Sequence, residues 1–127
     1  MFKLTGKREK GNEAEQIACD HLTKNGYRII TRNFNCRVGE IDIIAQNGED
    51  LVFVEVRSWH SSATVNPIDT ISRRKQERVI RAAEVYLTKH VRLPVPARFD
   101  VAIVKLGTPP HVELIQNAFG LERTGMF

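Results

Sequence analysis

The chain has 127 residues, of which 42% are hydrophobic and 27% are charged. This balance is too apolar for a disordered chain and too charged for a membrane protein, so it indicates one globular domain with one core. No apolar run reaches the roughly 18 residues of a transmembrane helix, and none follows the basic N-terminus as in a secretory signal. We therefore expect a cytoplasmic protein with no membrane partner. Within this single domain, 1–127, the basic segment 1–10 and the tail 117–127 are expected to be flexible.

Charge is unevenly distributed along the chain. The 19 Lys and Arg residues outnumber the 15 Asp and Glu residues, and the net charge of +4 permits a polyanionic partner. Residues 38–56 carry five acids and no base, whereas residues 71–92 carry seven bases and two acids. Two cysteines, Cys19 and Cys36, lie in no zinc-ligand motif, so structural zinc is not expected.

The predicted elements are a helix, three strands, a second helix and two strands, in that order. Asn12 can cap the first helix, with Glu15 completing a capping box, and Gly26 is placed to end it. Residues 58–66 show no periodicity and are predicted to be a loop. The second helix is predicted at 72–90. The five strands are predicted at 27–32, 40–45, 51–57, 98–106 and 112–116. This order predicts an α/β domain with a mixed sheet carrying helices.

Asn47-Gly48 between the second and third strands is a strong hairpin signal. A two-residue turn there and a four-residue loop give two registers, and both assign the same residues to the two faces of the hairpin. One face is aliphatic and is predicted to be core: Ile41, Ile43, Val52, Val54 and Val56. The other face carries the acids, with Glu40, Asp42, Ile44, Phe53, Glu55 and Arg57.

In the longer-loop register Asp42 lies across from Glu55, with about 4.5–5.5 Å between Cβ atoms. Facing carboxylates destabilise a sheet unless a cation compensates or one acid holds a proton. Paired carboxylates also suit Mg²⁺, which takes hard oxygen ligands and bridges to phosphate. The alternative is an exposed sheet face on which Arg57 pairs with solvated acids.

Asp42, followed by Glu55-Val56-Arg57 at the end of an apolar strand, matches the PD-(D/E)XK nuclease pattern. A longer set of residues, from about Lys7 to Val104, resembles the YraN-like family of small uncharacterised bacterial proteins. That family is similar to the Holliday-junction resolvase branch of the restriction-endonuclease-like fold. The residues of this resemblance are Gly11, Glu15, Gly26-Tyr27, Arg32-Asn33, Gly39-Glu40-Ile41-Asp42, Phe53-Val54-Glu55-Val56, Lys75-Gln76 and Arg98-Phe99-Asp100.

The resemblance implies a single-domain, restriction-endonuclease-like mixed β-sheet flanked by helices. It implies a divalent ion, Mg²⁺ or Mn²⁺, held by Asp42, Glu55 and the backbone carbonyl of Val56, with Glu15 approaching from the first helix. The implied reaction is hydrolysis of a DNA phosphodiester, in branched or single-stranded DNA, by a metal-activated water. Glu15 keeps its alternative role as a capping-box acid. Resolvase-like relatives act as dimers, so a homodimer is also expected.

Arg57 departs from the family pattern, which has lysine at this position. Arginine stays protonated and cannot act as a base, although it can stabilise a phosphoryl transition state. The helical phase that buries Val79 and Ala83 places Lys75 and Gln76 toward the sheet, so Lys75 is a candidate for the missing amine. The departure leaves a second hypothesis open, a nucleic-acid-binding module of the same fold without turnover.

Three arginines of the second helix form one basic ridge: Arg74, Arg78 and Arg81. Together with Lys7, Arg8 and Lys10 in the N-terminal segment, this ridge predicts salt-dependent contacts to DNA phosphates. The alternatives are a solvated helix face paired with Glu77 and Glu84, and a protein-interaction domain whose basic helix meets an acidic partner.

Overall fold

Two helices and five strands make up the described part of the chain. The structure, a computed structural model, describes residues 6–59 and 71–120, and side chains from residue 12 onward. The elements are α1 (Gly6–Lys24), β1 (Arg28–Cys36), β2 (Gly39–Asn47), β3 (Asp50–Trp59), α2 (Arg73–His90), β4 (Ala97–Lys105) and β5 (His111–Phe119). This confirms the predicted element order and the single-domain α/β class. Residues 60–66 of the predicted loop lie outside the described residues, whereas Ser58 and Trp59 belong to β3.

The strands form one mixed sheet in the order β1-β2-β3-β4-β5. Only the β3–β4 pair is parallel, and the chain between these two strands includes α2. The α2 residues Val79 and Ala83 pack on one face of the sheet, around Phe53, while Ala18 and Leu22 of α1 pack on the other. A mixed sheet with a helix on each face is compatible with the restriction-endonuclease-like fold. Neither described helix is long and apolar enough to cross a membrane.

The ends of the helices follow from local sequence, with one exception. Gly26 has φ 88°, and the N–H of Tyr27 donates to the carbonyl of Leu22, so the predicted end of α1 is confirmed. Ser72 caps α2, its hydroxyl accepting from the N–H of Lys75 at 3.1 Å. The predicted start of α1 at Asn12 is wrong, since the helix begins at Gly6.

The β2–β3 hairpin has the register expected of the longer loop but a shorter turn. Ile43 pairs with Val54 and Asn47 pairs with Asp50, which leaves Gly48 and Glu49 as the turn. Gly48 has φ 61°, a conformation that glycine adopts without strain. The predicted turn at Asn47-Gly48 is therefore displaced by one residue.

Both β1 and β2 change face at the same level of the sheet. Ile43 belongs to the core on the α1 side, whereas Ile41 packs on the α2 side, so the prediction that they share a face is wrong. On β1, Arg32 reaches α1, whereas Phe34 packs against the α2 core. Arg32 pairs with Ile43 and Phe34 with Ile41, and Asn33 between them has φ 54°. This shared break in alternation lies beside Asp42.

Candidate active site

Asp42 and Glu55 lie where β2 and β3 separate. The last pair in the ladder is Ile43 with Val54, and the two acids are the next residue on each strand. The backbone N–H of Asp42 donates to Oε2 of Glu55 at 3.2 Å. In return, the N–H of Val56 donates to Oδ2 of Asp42 at 2.8 Å. The acids are therefore brought together, as predicted, but at a gap between strands and not as a cross-strand pair on one regular face.

Both carboxyl groups are short of compensating charge. Burial, and then the charge of Asp42, raises the pKa of Glu55 to about 8, against the opposing effects of Lys75, the Asp42 N–H and Arg57. Burial also raises the pKa of Asp42, and the charges of Glu15 and Glu40 add to this effect. Glu55 is only 2% exposed. A proton or a bound cation would relieve the repulsion between the two acids.

Lys75 enters the site from α2. Its Nζ lies 3.7 Å from Oε1 of Glu55, so the helix does direct this amine toward the sheet as its phase predicts. Gln76, the other residue of this prediction, makes a hydrogen bond at the start of the helix. Its side-chain amide donates to the carbonyl of Ile71 at 3.0 Å, back toward the residues just before α2.

Arg57 occupies the position at which the nuclease pattern has lysine. Pairing with β4 sets Glu55 opposite Val101 and Arg57 opposite Ile103, both of which belong to the core on the α2 side. The Nε atom of Arg57 is buried and has no hydrogen-bond partner within the part of the chain that the structure describes. Its charge lowers the pKa of Glu55, but less than Lys75 does. Lys75 is thus the stronger electrostatic partner of Glu55.

Glu15 is held by β1 and not by a helix cap. It is 7% exposed, and its Oε1 accepts from Nδ2 of Asn33 at 3.0 Å and from Nη2 of Arg32 at 3.2 Å. The predicted capping-box role is wrong, because α1 begins at Gly6 and Glu15 lies well inside it. Glu15 also lines a cavity of about 250 Å³ together with Asp42. The sequence signal for this arrangement is Arg32-Asn33 within the family resemblance.

A third buried acid, Asp100, is paired with an arginine. Its carboxylate accepts from Nε of Arg98 at 3.1 Å and from the N–H of Asn117 at 2.9 Å. Nη1 of Arg98 also binds Asp50, at the start of β3. Asp100 therefore ties β4 to its neighbours, whereas among the described side chains the ion-pair partner of Glu55 is a lysine, Lys75.

The structure describes the side chains of some of the basic residues that are predicted to contact DNA. Arg74, Arg78 and Arg81 are all exposed on α2. The side chains of Lys7, Arg8 and Lys10 lie outside what the structure describes, although their backbone belongs to α1. Arg37, in the β1–β2 turn, was missed by the sequence interpretation because it belongs to no basic cluster in the chain.

Comparison with known proteins places the chain in a family. The model of the uncharacterised protein family UPF0102 matches residues 14–104. The chain belongs to UPF0102. A UPF0102 protein of Pseudomonas paraeruginosa is 40% identical over 123 residues, covering 94% of this chain and 98% of the relative. One of Symbiobacterium thermophilum is 45% identical over 114 residues (88% and 97%), and one of Geobacter sulfurreducens is 42% identical over 113 residues (87% and 88%). The resemblance to the YraN-like family is thereby confirmed.

The oxygen atoms of this UPF0102 site fit a hard divalent cation. Asp42 and Glu55 supply two adjacent carboxylates whose repulsion a cation would offset, and the carbonyl of Val56 is the next backbone oxygen along β3. The described residues contain no group of three His, Cys, Asp or Glu side chains arranged to hold a metal. An ion held here would therefore keep several water ligands, as Mg²⁺ usually does.

Proposed function

We propose that this UPF0102 protein is a Mg²⁺-dependent endonuclease that hydrolyses phosphodiester bonds in DNA, with branched or single-stranded DNA as substrate, in the cytoplasm. The observation that carries the proposal is the position of the two acids at the gap between β2 and β3, where the N–H of Asp42 donates to Glu55 and the N–H of Val56 donates to Asp42. Lys75 adds an amine 3.7 Å from Glu55. Two adjacent acids and one amine are the groups needed to hold a metal and to contact a phosphate.

Each residue has a distinct role in this proposal. Asp42, Glu55 and the Val56 carbonyl would hold Mg²⁺ or Mn²⁺. Such an ion, when bound, supplies Lewis-acid chemistry that lowers the pKa of water and offsets charge on the phosphate. The Lys75 ammonium orients the attacking water or contacts a phosphate oxygen. Arg57 stabilises negative charge, because a guanidinium group does not act as a general base.

Glu15 completes the acidic side of the site. It lines the same cavity as Asp42, and its charge contributes to the raised pKa of that acid. Arg32 and Asn33 both bind Oε1 of Glu15, which fixes the orientation of the carboxylate. In the proposed enzyme Glu15 helps to position the water or the ion beside Asp42.

One observation favours a second candidate, a DNA-binding protein of the same fold without turnover. Arginine stands where the pattern has lysine, and its buried Nε has no partner within the described part of the chain. Salt-sensitive DNA binding without cleavage, in either Mg²⁺ or Mn²⁺, would favour this candidate. Lack of any DNA binding at low salt would instead favour the protein-interaction domain. The homodimer remains a prediction.

The test combines calorimetric titration of Mg²⁺ and Mn²⁺ with a cleavage assay on duplex, forked and four-way DNA. We expect metal binding and cleavage by the unmodified protein, and loss of both in Asp42→Asn. The amide oxygen of that variant can still accept from Val56, so folding should be retained. Asp20→Asn, at an exposed acid of α1, is the matched control and should behave as the unmodified protein. Unchanged cleavage by Asp42→Asn would remove Asp42 from the proposed site.

A further inference from the structure

A polar cleft of about 450 Å³ lies between the β1–β2 turn and the N-terminal half of α2. Arg37 lines it from the turn, and Lys75 and Arg78 line it from the helix. Glu40 is the acid among its described lining residues. The cleft is therefore a concave surface with an excess of positive charge.

The two walls of the cleft are packed directly against each other. A Cβ atom on Gly39 would lie 2.6 Å from the carbonyl oxygen of Arg78, so only glycine allows the start of β2 to approach α2 this closely. The Sγ of Cys36 donates to the carbonyl of Gly39 at 3.4 Å, which closes the turn that carries Arg37. The arginines thus extend from a fixed backbone.

This cleft adjoins the proposed active site. Glu40 lines both the cleft and the cavity that contains Asp42 and Glu15. Lys75 lines the cleft and also pairs with Glu55. A chain of phosphates that has one member beside Asp42 could therefore continue into the cleft.

The two arginines of the cleft are free of ion pairs to the described acids. Arg37 and Arg78 are exposed, and neither forms an ion pair with any residue whose side chain the structure describes, in 12–59 and 71–120. The guanidinium group presents a fork of N–H donors that matches the geometry of a phosphate. Two such groups on facing walls can each donate to a different oxygen of one phosphodiester.

We propose that the cleft binds a backbone phosphate of the DNA strand next to the phosphate that is cleaved, with Arg37 and Arg78 as its ligands. The identity of the polymer rests on the proposed function, whereas the cleft itself does not require cleavage. Contacts of this kind carry no sequence information, so they position the strand without selecting a sequence. Arg37 is the decisive residue for the test, because it lies on the β1–β2 turn. A basic ridge confined to α2 would not include it.

The experiment measures binding of the full-length protein to fluorescent single-stranded and four-way DNA by anisotropy, in EDTA, over a series of salt concentrations. The affinity falls as salt rises, so the slope of log affinity against log salt is negative. Each of Arg37→Ala and Arg78→Ala should reduce the magnitude of this slope by about 0.7–1. The double variant should show about twice this reduction in slope. The reduction should be the same for DNA of scrambled sequence. Arg37→Lys keeps the charge and should retain the slope. Arg92→Ala, which removes an exposed arginine beyond the other end of α2, is the matched control.

The outcomes separate this inference from the proposed function. Equal slope and affinity for the double variant and the unmodified protein would overturn the phosphate cleft, even if cleavage is observed. Loss of slope in the arginine variants without any cleavage would support the cleft and contradict the nuclease. If Arg37→Lys showed the same reduction in slope as Arg37→Ala, although it keeps the positive charge, the result would also count against a phosphate contact. Melting curves of all variants exclude unfolding as the cause.

Discussion

The backbone N–H of Asp42 donates to the Glu55 carboxylate, 3.2 Å away, at the point where β2 and β3 separate. This bond needs an acceptor oxygen but no negative charge, since a protonated acid or an amide accepts as well. The charge of Glu55 is therefore unnecessary for the contact between the strands. It is also unfavourable to folding, because Glu55 is 2% exposed beside another acid.

Glu55→Gln should change how stability depends on pH. The folded pKa of about 8 lies above the ordinary value of 4.5, so the folded state binds more protons than the unfolded state between these values. The stabilising contribution of protonated Glu55 is full below pH 4.5 and is lost as pH rises through 8. Glutamine does not titrate, so the variant does not lose this contribution as pH rises. The free energy of unfolding of the variant should therefore increase, relative to that of the unmodified protein, by on the order of 2–4 kcal/mol from acid to alkaline pH.

Urea unfolding at three pH values, one below 4.5, one midway and one above 8, measures this difference. Glu13→Gln, at an exposed acid of α1, is the control and should run parallel to the unmodified protein. A constant difference between Glu55→Gln and the unmodified protein across the range would show that Glu55 titrates normally. In that case the proposed shortage of positive charge at the site would be wrong.

Lys75→Ala should lower the rate of DNA cleavage by about 10- to 100-fold, because it removes the ammonium beside Glu55. It should also raise the pKa of Glu55 further, since Lys75 lowers that pKa. Steady-state cleavage rates as a function of pH measure both effects. Lys89→Ala, at an exposed lysine in the last turn of α2, should have little effect.

Arg57→Lys should preserve or increase cleavage, because it restores the lysine of the nuclease pattern. In the Lys75→Ala background the same change should recover part of the lost rate, since an amine then again lies on the Glu55 face of β3. Rates of the two single variants and the double variant give the coupling between the positions. A large loss in Arg57→Lys alone would show that arginine has a role that lysine cannot fill.

The sequence predicts most of the architecture because much of it is local. Asn47-Gly48 predicts the hairpin, the apolar spacing that includes Val79 and Ala83 predicts α2, and Gly26 predicts the end of α1. Both turn lengths considered at Asn47-Gly48 give the same parity of register, and the register of the longer loop brings Asp42 and Glu55 to the same level. These features depend on neighbours a few residues apart.

The remaining features depend on contacts between distant segments. The first turns of α1, from Gly6 onward, are polar and lack helical periodicity, so the start was misplaced and Glu15 was assigned to a cap. The change of face at Asp42 is shared with Asn33 on the neighbouring strand, and no local pattern encodes it. Arg37 joins Arg78 only through packing of the β1–β2 turn on α2.

Glu15→Gln distinguishes a role in the site from a role in packing. If Glu15 positions groups beside Asp42, the amide variant should lose about 10-fold or more in cleavage and shift its pH profile to lower pH, because the charge that raises the Asp42 pKa is gone. Its melting temperature should fall only slightly, since the amide oxygen can still accept from Asn33. A lowered melting temperature with unchanged rate and pH profile would assign Glu15 to packing of α1 on β1 alone. Glu13→Gln again serves as control.

Gly39→Ala should destabilise the fold by about 1–3 kcal/mol, the usual effect of overpacking a close contact. The new methyl group would lie 2.6 Å from the Arg78 carbonyl oxygen, which belongs to helix backbone and cannot move without disturbing α2. Gly107→Ala is the matched control, because a Cβ there would lie 3.8 Å from the Pro109 carbonyl oxygen, an ordinary van der Waals distance. Urea unfolding of both variants measures the difference. Equal stabilities would mean that the turn carrying Arg37 can separate from α2, and the cleft between them would then lack the fixed walls that its phosphate binding requires.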